Sequence, residues 1–208
     1  NIKINGGTMQ EIYINLDDSG KLTKKELISV YGGIVFLSKK EKDKFITQYR
    51  SIINDIKCKY CKNKSTCNKK CPEIKNTNIK NSDKRRIMNY IKKYFVVGLI
   101  INNQNVYDHI IENKAAKGRF IDYSLRRMIK EIINNQISNH NISENRPLKV
   151  VVNIDEQTTK SNGYYNLHDG LVEELKYGIS NFNYACIYNP IVFNDLDVKV
   201  TYQDSGKS

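Results

Sequence analysis

The stretch Ile12-Tyr13-Ile14-Asn15-Leu16-Asp17-Asp18-Ser19-Gly20 alternates apolar and polar side chains and closes on two carboxylates and a turn. Side chains of a strand point to opposite faces at period two, so Ile12, Ile14 and Leu16 share one face and Tyr13, Asn15 and Asp17 the other. A carboxylate at a strand end is held rigidly, as metal or acid–base chemistry requires. Taken alone, Asp18-Ser19-Gly20 reads as a turn, because these residue types favour turns. The rest of the chain decides between turn and site.

Working outward, Leu27 to Leu37 is apolar and β-branched, which predicts a second strand in a hairpin with the first. Gly32-Gly33 within it points to a bulge or a close backbone approach. Ser38 and Glu41 have capping-box spacing, and Phe45, Ile46, Tyr49, Ile52, Ile53 and Ile56 follow at helical spacing, predicting a helix over 39–57. Ile87, Met88 and Ile91 predict a short helix, and Phe95 to Ile101 reads as a buried third strand closed by a turn at 102–105. A short helical segment is expected over 106–116. A longer helix follows on Leu125, Met128, Ile129, Ile132, Ile133 and Ile137, capped near Asp122 or Ser124.

Beyond Pro147, Leu148 to Asp155 is a strand ending in Asp, and a helix is expected over 164–178. Tyr184 to Tyr188 forms a short strand, and Val198 to Asp204 is another strand ending in Asp. Strands alternating with helices define an α/β domain with a mixed sheet flanked by helices.

Three strands thus end on Asp17 (with Asp18), Asp155 and Asp204. If they run parallel, the carboxylates converge at the carboxyl edge, where open α/β sheets bind ligands. Clustered carboxylates repel unless a cation neutralises them, and hard oxygen donors select Mg²⁺ or Mn²⁺. A pair of such ions suits phosphodiester hydrolysis. The competing account is that Asp is common at strand ends.

The net charge of +12 over 208 residues points to an acidic partner, although an abundance of Lys, Asn and Ile also marks an AT-rich genome. Its location is more telling. Residues 57–86 hold eleven Lys or Arg against Glu73 and Asp83 alone, and so nine of the twelve net charges. The same segment carries Cys58-x2-Cys61-x5-Cys67-x3-Cys71, a spacing that fits a structural tetrahedral Zn²⁺ site. Two disulfides and an iron–sulfur cluster are the alternatives. The expected organisation is an α/β domain over 1–57 and 84–208, interrupted by a basic four-cysteine insertion over 58–83. Lys69, Lys70, Arg85 and Arg86 are candidate phosphate contacts, as are Lys117 and Arg119, which with Gly118 are expected to precede a helix and offer free amides. Cys186, between Ala185 and Ile187, reads as a core residue.

Ile14 to Gly20 followed by Tyr31-Gly32-Gly33-Ile34-Val35 resembles a bacterial and phage family catalogued as domain of unknown function 3800, which opens with an Asp-Glu-Ser-Gly strand end and then a Gly-Gly strand. Val152 to Asp155 is similar to its internal strand, and Tyr202 to Ser205 to its late Asp-Ser motif. The resemblance implies an RNase H-like fold and a metal-dependent nuclease, with Asp17, Asp155 and Asp204 as Mg²⁺ or Mn²⁺ ligands and Asp18 assisting. It also directs attention to Glu112 as an acid after the third strand, against the plainer reading of a solvated glutamate. Asp18 stands where the family has Glu, and the family's following helix, with an Ala-Asp pair, would fall beyond Ser208.

Other signals fail. Gly206-Lys207-Ser208 lacks the earlier Gly of a P-loop, position 19 is Ser where an Asp-x-Asp phosphatase needs Asp, and His109, His140 and His168 show no metal or triad spacing. No apolar run approaches the ~20 residues of a membrane span and no secretory signal is visible, so a cytoplasmic protein is expected. Expected partners are nucleic acid, RNA or DNA, with a partner protein or a second copy also open. A non-catalytic module that binds through its basic loop is the rival to a nuclease.

Overall fold

The computed structural model describes residues 8–61, 78–155, 166–181, 186–188, 193 and 195–203. Strand β1 (Gln10–Ser19) forms a hairpin with β2 (Ile28–Phe36), and helix α1 (Lys39–Tyr60) follows. Helix α2 (Asn81–Ile91), strand β3 (Phe95–Asn102), helix α3 (Asp108–Glu112), helix α4 (Lys114–Ser138) and strand β4 (Leu148–Asp155) come next. Helix α5 (Leu167–Val172) runs into a π-helical turn, and strands β5 (Ile179–Asn181), β6 (Cys186–Tyr188) and β7 (Leu196–Gln203) complete the order.

Five strands make one sheet in the order β3-β2-β1-β4-β7, while β5 and β6 pair separately. Strand β2 is antiparallel to both neighbours, and β1, β4 and β7 run parallel. The fold class read from the periodicities is therefore the one observed. The alternation in β1 explains the layers: Ile12, Ile14 and Leu16 lie in the core shared with α4 and α5, whereas Tyr13 packs with Phe36 and Phe45 beneath α1 and α2. Ser38 Oγ accepts the Glu41 N–H at 3.2 Å, and Glu41 accepts the Leu37 N–H at 3.1 Å, so α1 starts as its spacing predicts.

Three expectations change. Strand β3 is the outer edge, with Val96 50% and Ile100 70% exposed. A continuous apolar run reads as buried, but burial depends on strand order, which local pattern does not contain. Helix α4 begins at Lys114, where Asn113 Oδ1 accepts the Ala115 and Ala116 N–H groups at 3.0 Å each. Asp122 and Ser124 are therefore mid-helix, and Ser124 Oγ donates to Phe120 O at 2.8 Å. Helix α1 extends to Tyr60, taking Cys58 into its last turn.

Candidate functional site

Asp17 sits in the β1–β2 ladder opposite Gly32, exposed at the carboxyl end of the strand. The ladder continues through Asp18 and Ser19, and the turn follows at Gly20, whose φ of +82° only glycine adopts readily. The loop after it is held from below. Asn103, fully buried, donates to the carbonyls of Lys21, Thr23 and Glu26 at 3.0, 3.2 and 3.1 Å and accepts Ser29 Oγ at 3.0 Å. Asp17 is thus both a strand-end carboxylate and the neighbour of a pinned turn.

In the parallel ladder Leu16 pairs with Ile154, so the next residues, Asp17 and Asp155, occupy adjacent backbone positions on the two central strands. One step back, Asn153 Nδ2 donates to Asn15 Oδ1 at 2.7 Å, tying the strands side chain to side chain. Asp155 in turn pairs with Gln203 of β7, and Asp204 lies outside the described residues. Tyr49 of α1 is close enough for the Asp17 charge to reinforce what burial does first, raising the pKa of its phenol. An aromatic stack supports Tyr49, whose ring lies 5.4 Å from Phe45. Gly32 and Gly98 pair in register beside Asp17, and a Cβ at Gly32 would meet nothing within 4 Å. This leaves bare sheet between Asp17 and the β3 edge.

The opposite face carries a feature not anticipated. A cavity of about 240 Å³ is lined by Arg119, Asp122, Tyr123, Arg126, Asn166, Leu167 and Gly170. Burial pushes the Asp122 carboxyl up to about 6, and Tyr202, near the end of β7, is pushed up to about 12 by burial and then by the Asp122 charge. Asp17 and Asp122 therefore approach the carboxyl edge from opposite faces. The spacing Arg119-x2-Asp122-x3-Arg126 is a polar helical stripe visible in the sequence, but the expected cap near Asp122 or Ser124 concealed it. Beside the cavity the carboxylate of Glu174, 1% exposed, meets Arg126 at 3.0 Å, Arg127 at 2.6 Å and Lys130 at 3.3 Å.

The remaining candidates are dispersed. Lys117, Gly118 and Arg119 lie inside α4, and the Lys117 N–H bonds to Asn113 O at 2.9 Å, so the free-amide argument fails. Arg119 keeps a place through its side chain on the cavity. Glu112 is an exposed residue at the end of α3. Arg85 is exposed, while Arg86 pairs with Asp55 at 2.8 Å. Cys58 and Cys61 stand one turn apart at the end of α1, and Cys67, Cys71, Lys69 and Lys70 lie outside the described residues, as does the side chain of Cys186. The two ends of the basic segment are fastened together. Asp83 accepts Lys59 Nζ at 2.9 Å and Tyr60 OH at 2.7 Å, and Tyr60 OH accepts the Lys80 N–H at 2.9 Å. The Lys59 hydrogen bond, followed by that from Tyr60, holds the Asp83 carboxyl below its ordinary range. Among the described residues no three metal-ligating groups cluster, and no helix is long and apolar enough to cross a membrane.

These elements define the class as an α/β domain with a five-stranded mixed sheet and acidic residues at its carboxyl edge. No known family model and no curated protein matches the chain.

Proposed function

We propose that this chain is an RNase H-like, metal-dependent nuclease acting on phosphodiesters of RNA or DNA. The observation that carries the reading is the register that sets Asp17 beside Asp155 at the carboxyl ends of the two central parallel strands. The order β3-β2-β1-β4-β7, with β2 alone reversed, supports the RNase H-like part. Two acidic residues on adjacent strands offer the hard oxygen donors that Mg²⁺ or Mn²⁺ takes. Asn15 and Asn153, just below, are engaged with each other.

Asp17 and Asp155 would hold the metal, with Asp204 as a further ligand and Asp18 assisting. When bound, the metal lowers the pKa of an attacking water and offsets charge on the phosphate. Tyr49 is protonated at neutral pH as any phenol is, burial and then the Asp17 charge move its pKa further up, and it would serve as a hydrogen-bond donor near Asp17. The basic segment would supply phosphate contacts, and Cys58, Cys61, Cys67 and Cys71 would hold a structural Zn²⁺ there. The fastening of Lys59 and Tyr60 to Asp83 fits a short closed segment of this kind.

The test is Mg²⁺- or Mn²⁺-dependent cleavage of mixed RNA and DNA substrates by wild type, Asp17→Asn and Asp155→Asn. Each variant is expected to lose activity by about a hundredfold or more, with its melting temperature kept. Equal cleavage by Asp17→Asn and wild type would remove Asp17 from the chemistry. Nucleic-acid binding without cleavage by wild type would favour the non-catalytic module.

A further inference from the structure

Among the described residues, strand β3 is an edge with none of the usual protection. Natural sheets guard their edges with charges, prolines, bulges or a covering element. Phe95-Val96-Val97-Gly98-Leu99-Ile100-Ile101-Asn102 has no charge and no proline, and it pairs with β2 in unbroken register over eight positions. Its outer side pairs with no strand among the described residues. The opposite edge, β7, carries exposed Asp197 and Lys199. Among the described residues, one edge of the same sheet is guarded and the other is not.

We propose that β3 is a self-pairing edge, through which two copies of this chain join antiparallel about a two-fold axis at Gly98 into one ten-stranded sheet. A two-fold contact must match itself residue for residue. Centred on Gly98, the strand does so: Val96 falls opposite the second copy's Ile100, Val97 opposite Leu99 and Phe95 opposite Ile101. Every pair is apolar. The two most exposed side chains of the strand, Ile100 at 70% and Val96 at 50%, cover each other, and their paired positions share the face that carries Ile28 and Val30. Lys92 and Lys93, just before the strand, fall opposite Asn103 and Gln104, so no cations are brought together. Phe95, Val96 and Ile100, the exposed apolar side chains on the strand itself, are what the pairing covers. The outward backbone groups of β3 add ladder hydrogen bonds. Because the axis reverses strand direction, the two Asp17 edges come to lie at opposite ends of the joined sheet. This holds whatever reaction that edge performs.

Oligomeric state tests the proposal. The chain has a mass of 24.1 kDa, and wild type at tens of micromolar is expected to sediment at twice that. Ile100→Lys puts a charge on the exposed side of the strand and is expected to sediment as a monomer with an unchanged circular dichroism spectrum. A disulfide probe reads the register independently. Gly98→Cys brings two thiols across the axis within bridging distance and is expected to give a covalent dimer under mild oxidation. Gly32→Cys, one strand inward on the same face, is expected to give none above wild type. A monomeric wild type, an Ile100→Lys dimer, or equal bridging by the two cysteine variants would each overturn the proposal.

Discussion

Adjacent glycines in β2 should respond oppositely to the same substitution. A Cβ on Gly33 would lie 2.0 Å from the Asn15 carbonyl oxygen and 2.8 Å from Leu16 Cδ2. Ordinary contacts begin beyond about 3.4 Å, so the strands would have to part by more than 1 Å. Asn15 O is backbone of the central strand, tied to β2 on one side and β4 on the other, and it cannot rotate away. Parting the strands forfeits about two ladder hydrogen bonds in a buried setting and adds overpacking, together ~3–5 kcal/mol. Gly32→Ala meets nothing within 4 Å and removes the entropic disadvantage of glycine in a strand, a gain of about 0.5 kcal/mol. For a chain of this size Gly33→Ala should lower the melting temperature by roughly 10 °C and Gly32→Ala should leave it level or slightly raised. Thermal and urea unfolding of both variants at neutral pH measures this. A Gly33→Ala loss below about 1 kcal/mol, or equal behaviour of the two variants, would refute the close approach of β1 and β2.

Glu174→Gln leaves Arg126, Arg127 and Lys130 facing each other without their shared carboxylate and should destabilise by ~3–5 kcal/mol in urea unfolding. Asp122 has a folded pKa of about 6, above its unfolded value, so its favourable contribution is complete below about pH 4 and disappears as pH rises through about 6. Asp122→Asn should therefore exceed wild type by ~2 kcal/mol at about pH 8, once partial exposure is allowed for, and match it near pH 4, as melts across that range would show. His140 ends α4 at φ +59°, where its N–H and that of Asn141 bond to Ile137 O and Gln136 O at 2.9 Å each. His140→Gly removes the left-handed strain and should raise stability by about 1 kcal/mol in the same assay.

Local pattern carried most of the fold. The alternation in Ile12 to Leu16, the β-rich run Leu148 to Ile154, the Ser38–Glu41 cap and the repeat through Phe45 to Ile56 each report a preference of one segment's own backbone, and each element formed, α1 running on to Tyr60. Asp17 at a strand end, and the glycine pair with a close approach at Gly33, were legible for the same reason. What the sequence could not hold was any quantity that depends on neighbours far along the chain. Strand order made the apolar run Phe95 to Ile101 an exposed edge. Parallel register set Asp155 beside Asp17 across 138 residues, because side-by-side position comes from pairing and not from composition. The Asp122 carboxyl acquired its high pKa only when α4, α5 and β7 closed around it, since desolvation belongs to the packed state.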